Sequence, residues 1–167
     1  QDSMSKFVMI IFGASGDLTK RKLMPALYSL YKDNRLPEGF AILGIGRTDY
    51  ADETYRDYIL NELEHFVTPA EVGMKEFCTH LHYLSMDPAI EEGYGTLDSH
   101  LQEITGEKKP DNLLFYLATP PSLYGVIPLH LKTAGLNRKH TRIIVEKPFG
   151  YDLKSAQELN HIYASVF

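Results

Sequence analysis

Five short runs of apolar and aromatic residues recur along this chain, at Phe7–Phe12, Phe40–Ile45, His82–Leu84, Leu113–Ala118 and Arg142–Glu146, with longer stretches of helical period between them. A strand repeats its burial every two residues and a helix every 3.6, so this alternation reads as successive βαβ units around a mostly parallel sheet. The expected class is therefore α/β, a doubly wound sheet with helices on both faces. The first, fourth and fifth runs are almost continuously apolar, which predicts strands covered on both sides.

The intervening segments carry the stripes such a fold needs. Leu23, Ala26, Leu27, Leu30 and Tyr31 fall at three- and four-residue steps and predict a helix lying on the sheet. A second helix is expected after Asp52, with Tyr55, Ile59, Leu60 and Leu63 on its inner face. Thr68-Pro69 reads as an N-cap followed by an N1 proline, with Glu71 in the first turn of a further short helix. Leu97, Leu101 and Ile104 predict another helix ending near Gly106, and Asp152 caps a last one from Leu153. That last helix meets no Gly, Pro or capping residue before Phe167, which suggests a piece of a longer protein.

Composition removes several function classes. With 22 acidic and 17 basic side chains the formal charge is -5, and no basic cluster offers the field that nucleic acid requires. The apolar runs are far shorter than the roughly 18 residues of a membrane span, and no signal-peptide core is visible. The single cysteine, Cys78, can form neither an internal disulfide nor a Cys-x-x-Cys metal site, which points to a reducing, cytoplasmic setting. His80 and His82 alternate on an expected strand as polar positions rather than metal ligands, so no metal site is expected.

Chemistry enters at the end of the first run. Phe7–Phe12 leads straight into Gly13-Ala14-Ser15-Gly16-Asp17-Leu18-Thr19-Lys20, and an amphipathic helix follows. Strand, glycine turn and helix form the context of a dinucleotide-binding fingerprint. Gly13 permits the tight exit from the strand, and the bare backbone at Gly16 lets amides approach a pyrophosphate at a helix N-terminus. The spacing is Gly-x-x-Gly, which an ordinary strand-to-helix turn also carries, and it lacks the Gly-Lys-Ser/Thr order of a P-loop.

The second run narrows the choice of ligand. In NAD-binding proteins an acid near the end of the second strand bonds the ribose 2′-hydroxyl, whereas an Arg accommodates a 2′-phosphate. Here the run ends in Gly46-Arg47-Thr48, with Asp49 two residues too late. A guanidinium can clamp a phosphate and stack on adenine, and Ser15 can add a hydrogen bond, so NADP is the expected coenzyme of a Rossmann-like domain.

The string Gly13–Tyr28, Gly-Ala-Ser-Gly-Asp-Leu-Thr-Lys-Arg-Lys-Leu-Met-Pro-Ala-Leu-Tyr, closely resembles the opening of the glucose-6-phosphate dehydrogenase family. Ile45-Gly46-Arg47, Phe115–Pro121 with Tyr124, and Glu146-Lys147-Pro148-Phe149-Gly150 agree in order and approximate spacing, so the resemblance covers essentially the whole chain. It implies an NADP-dependent oxidation of glucose 6-phosphate at C1 to 6-phosphogluconolactone, a pentose phosphate reaction. It further implies that Gly13, Ala14, Ser15, Gly16, Asp17, Leu18, Thr19 and Lys20 wrap the pyrophosphate, while Arg47 takes the adenosine phosphate. Ala118, Thr119, Pro120, Pro121 and Tyr124 would lie along the nicotinamide half. Lys147 would reach both substrate and coenzyme, with Lys147-Pro148 a cis-proline hinge and Lys22 near the same cleft. Thr19 stands where relatives often carry Ala.

The family's base is a His held by an Asp, in an Asp-His-Tyr-Leu-Gly-Lys stretch that does not occur here. None of the seven histidines is assigned to catalysis; His130 is expected in a helix and His140 in a loop. Residues 1–167 are thus expected to form one coenzyme-binding domain that does not itself turn over substrate. The resemblance places the base, most of the sugar site and the homo-oligomer interface in a following antiparallel sheet domain. Two other readings stay open: a different NADP-dependent sugar oxidoreductase of the Glu-Lys-Pro type, and a non-catalytic NADP-binding module.

Overall fold

The computed structural model describes residues 6–17, 19–66 and 73–145. Five strands, β1 (Val8–Phe12), β2 (Ala41–Gly46), β3 (Leu81–Ser85), β4 (Leu113–Leu117) and β5 (Arg142–Val145), form one sheet in the order β3-β2-β1-β4-β5. Every pairing is parallel, with Val8 opposite Ala41 on one side and Leu113 on the other. Parallel neighbours need crossovers, and helices supply them: α1 (Met24–Lys32), α2 (Asp52–Phe66), α3 (Gly73–Cys78), α4 (Gly93–Thr105) and α5 (Val126–Thr133).

The two-residue period of β1 sorts its side chains into two cores. Val8, Ile10 and Phe12 pack with Tyr94, Leu97 and Leu101 of α4 and with Ile127 and Leu131 of α5. Met9 and Ile11 face the other way, onto Met24, Leu27 and Tyr28 of α1, Tyr55, Ile59 and Leu63 of α2 and Phe77 of α3. Helices therefore cover both faces, as the alternation in the sequence implies.

Four local expectations need correction. Among the described residues the fifth run is not buried on both sides: β5 stands at one end of the strand order there, and Ile144 is 44% exposed. In the fourth run only alternate residues are fully buried, while the fully buried neighbour of β1 is β2. The inward stripe of α1 is Met24, Leu27 and Tyr28, with Leu30 left 37% exposed. A five-residue π-turn at Thr19–Leu23 precedes α1; Leu23, Leu27 and Tyr31 of the expected stripe pack on the core beside Met24 and Tyr28, while Ala26 and Leu30 turn to solvent. His80 lies in the turn before β3, its ring stacked on Phe40 at 4.2 Å. The Thr68-Pro69 cap and the helix from Asp152 fall outside the described residues; α4 ends at Gly106 as expected.

Candidate functional site

At the carboxyl ends of the strands a cleft of about 650 Å³ opens where the strand order reverses, between β1 and β4. Its lining comes from four places: the glycine turn (Gly13, Ser15, Gly16), the end of β2 (Ile45–Thr48), the segment after β3 (Asp87–Ala89) and the segment after β4 (Ala118–Pro120, Ser122, Leu123). In open α/β sheets such a switch point is where ligands bind, because the two flanking loops diverge there.

The glycine turn is held from several directions. Gly13 has φ +93°, and a β-carbon there would lie 2.9 Å from the Ala118 carbonyl carbon. The amides of Gly13 and Ala14 both donate to the carbonyl of Ile45, at 2.9 and 3.0 Å, and Gly16 donates to Gly13 at 3.1 Å. These three amides are thus consumed in fixing the turn, which corrects the idea that the whole bend offers bare donors. Ser15 has no backbone hydrogen bond of its own amide among the described residues, and the cleft side of Gly16 is open apart from the Gly13 carbonyl.

Thr19 is fully buried and its hydroxyl donates to the Gly13 carbonyl at 2.8 Å, so it fastens the turn from beneath. Asp17 pairs with Arg21 at 2.7 Å on the surface, and the Lys20 ammonium sits 5.9 Å from the Tyr58 ring. Lys22 is exposed and outside the cleft lining. Leu18 and Lys147 lie outside the described residues.

Arg47 stands at the cleft mouth with its side chain 78% exposed, 3.9 Å from the Asp87 carboxylate. Across the cleft, Pro120 leads into a single 3-10 turn at Pro121–Leu123, and Thr119 has a buried hydroxyl without a partner among the described residues. A buried hydroxyl with no partner is costly unless a ligand or water completes it. Tyr124, only 1% exposed, belongs to the core below and does not line the cleft; Ser122 and Leu123 do.

Sequence patterns gave no sign of the tyrosines that support the turn. Tyr55, fully buried, donates to the Ala14 carbonyl at 2.9 Å, and Tyr58 donates to that of Ser15 at 3.3 Å. Tyr83 donates to the carbonyl of Thr48 at 2.6 Å, and Tyr50 meets Tyr55, Tyr58 and Tyr83 within one ring cluster. Burial raises the Tyr55 hydroxyl well above its ordinary range and pushes Tyr83 up to about 12, with the neighbouring tyrosines adding to both shifts. These groups therefore act as neutral donors. Among the described residues no cluster of His, Cys, Asp or Glu could hold a metal, and no helix is long and apolar enough to cross a membrane.

A parallel sheet in the order 3-2-1-4-5, with a glycine turn, an orphaned hydroxyl and an arginine around its switch-point cleft, defines a Rossmann-type dinucleotide-binding domain. The sequence model described as "Glucose-6-phosphate dehydrogenase, NAD binding domain" matches residues 10–167, and the chain belongs to that family.

Similar proteins agree. Glucose-6-phosphate 1-dehydrogenase of Aggregatibacter actinomycetemcomitans is 45% identical over 156 residues, covering 91% of this chain and 32% of that protein. The enzyme of the same name from Treponema pallidum is 39% identical over 165 residues, covering 95% and 32%. A solved structure of glucose-6-phosphate dehydrogenase in complex with its substrate glucose-6-phosphate superposes with a TM-score of 0.84 at 35% identity, over 100% of this chain and 36% of that one. The chain thus spans about a third of the length of the curated relatives it matches.

Proposed function

We propose that this chain is the NADP-binding part of a glucose-6-phosphate 1-dehydrogenase, in which C1 of glucose 6-phosphate gives up a hydride and 6-phosphogluconolactone is formed. The observation that carries the reading is the meeting of Arg47, Ser15 and Gly16 on one switch-point cleft. The coenzyme supplies the hydride acceptor when bound. The chain's own residues bind and orient: the turn from Gly13 to Lys20 receives the pyrophosphate, with the Ser15 amide as a donor left open among the described residues and Gly16 as its open face. Arg47 pairs with the adenosine phosphate. Thr119, Pro120 and Pro121 border the nicotinamide half, where the Thr119 hydroxyl finds the partner it lacks among the described residues. Tyr124 shapes that wall from the core, and Lys147 bridges coenzyme and sugar phosphate.

Proton removal from the sugar hydroxyl needs a base tuned near the working pH, and no histidine among these 167 residues sits in an Asp-His-Tyr-Leu-Gly-Lys setting. In this reading residues 1–167 are one domain, and a further domain supplies the base, most of the sugar site and the contacts of a cytoplasmic homo-oligomer. The one-third coverage of relatives supports that division. Calorimetric titration with NADP and NAD is the test. The expected result is clearly tighter binding of NADP, without oxidation of glucose 6-phosphate by these residues alone. Equal affinities would remove the NADP assignment, and no binding of either coenzyme would remove the reading itself.

A further inference from the structure

The arginine at the cleft mouth is not unopposed. Asp87, in the segment after β3, lines the same cleft, and its Oδ2 lies 3.9 Å from Arg47 Nη1. The other carboxylate oxygen, Oδ1, is committed elsewhere, accepting the Ala89 amide at 2.9 Å in a tight turn closed by Ile90 N–H on the Asp87 carbonyl. The carboxylate is therefore anchored through one oxygen and turned with the other toward the guanidinium. Its side chain is 35% exposed, whereas that of Arg47 is 78% exposed. The acid is the better fixed of the two, and the arginine is free to leave it.

We infer that Asp87 is a specificity-determining residue that weakens selection for the 2′-phosphate by competing for Arg47 and by repelling the phosphate charge. The inference rests on the coenzyme reading above and adds to it a second group at the ribose end of the site. A phosphate drawn to Arg47 brings close to two negative charges within several ångströms of the Asp87 carboxylate. In a wet cleft mouth such repulsion is modest but not negligible, and salt screens it. The same carboxylate is an acceptor for a ribose hydroxyl, the role an acid plays in NAD-selective relatives of the fold. Asp87 thus lowers, without abolishing, the preference for NADP that Arg47 confers, and an unopposed arginine would be more selective.

Asp87→Asn tests this, because asparagine keeps an oxygen for the Ala89 amide while losing the charge. Titrations of the protein and of D87N with NADP and NAD at low and high salt give four comparisons. The expected result is an NADP affinity three- to tenfold higher in D87N at low salt, a gain that shrinks as salt is raised, and an NAD affinity that does not increase. Asp87→Ser, which can still close the turn through its hydroxyl, should reproduce the gain if D87N is poorly folded by thermal melting. Unchanged or weaker NADP binding in a folded variant would overturn the inference, since Asp87 would then be inert or would be positioning Arg47. If the unsubstituted protein binds neither coenzyme, the coenzyme reading fails first and takes this one with it; binding in the parent without a gain in either variant sinks the Asp87 role alone.

Discussion

The backbone of Gly13 lies so tightly against the carbonyl of Ala118 that no side chain fits between the end of β1 and the end of β4. Gly13 also has φ +93°, a conformation in which an L side chain is strained whatever space it has. Two separate costs therefore fall on Gly13→Ala: backbone strain of about 1–3 kcal/mol, and displacement of the Ala118 carbonyl that walls the cleft. The variant is expected to melt lower and to bind coenzyme at least tenfold more weakly, measured by thermal denaturation and by titration. Coenzyme affinity equal to the parent's would show that the turn and the β4 end need not meet.

In the proposed site Arg47 is the group that selects NADP through its 2′-phosphate. Replacing it with alanine removes a charge-assisted partner of the 2′-phosphate, a loss of about 1.5–3 kcal/mol. Expected is a weakening of NADP binding of roughly tenfold to 150-fold, with NAD binding changed much less. Because the side chain is largely exposed, the melting temperature should barely move. An Arg47→Ala protein that binds NADP as tightly as the parent would place the phosphate elsewhere.

The buried hydroxyl of Tyr55 anchors the glycine turn through the Ala14 carbonyl. Gly44 makes that approach possible, since a β-carbon on it would stand 2.7 Å from the Ala14 methyl and 3.1 Å from the Tyr55 ring. Tyr55→Phe leaves the carbonyl without this donor and should cost about 1–3 kcal/mol of stability. Gly44→Ala overpacks the same spot and should cost a similar amount. Urea unfolding measures both; if the turn depends on this support, coenzyme affinity falls with Tyr55→Phe even where the protein stays folded. Unchanged stability and affinity together would make the tyrosine a bystander.

How far the sequence could be read follows from what each feature depends on. β1 through β4 and the stripe of α2 were legible because they rest on local period, and the place of Arg47 at the cleft mouth was legible because it ends a strand whose neighbour is the glycine turn. The exposure of β5 was not, since apolar content says nothing about a strand's place at the end of a sheet. Within α1, Met24 and Tyr28 rather than Ala26 and Leu30 complete the buried stripe, a choice that apolar spacing alone does not make. The support from Tyr50, Tyr55, Tyr58 and Tyr83, and the approach of Asp87 to Arg47, bring together side chains from different elements. No spacing along one chain encodes such a meeting.

The same buried acids make the protein sensitive to alkali. Burial pushes the Cys78 thiol from 9.0 up to about 12 and the Tyr83 hydroxyl from 10.0 up to about 12, and it also raises the Tyr55 hydroxyl well above its ordinary value. A group whose folded value is raised keeps its proton more tightly in the native state than in the unfolded chain. Its stabilising contribution is then whole below the unfolded value and is lost as pH climbs toward the folded one. The window is therefore from pH 9, set by Cys78, and from pH 10, set by the tyrosines, up to about 12. Urea midpoints should hold steady between about pH 7 and pH 8.5 and then fall progressively above pH 9. Cys78→Ala should flatten the onset of that fall without abolishing it, because the tyrosines remain. A midpoint that stays level through pH 11 would mean that these hydroxyls and this thiol are reached by water in the folded protein, and the support beneath the glycine turn would have to be redrawn.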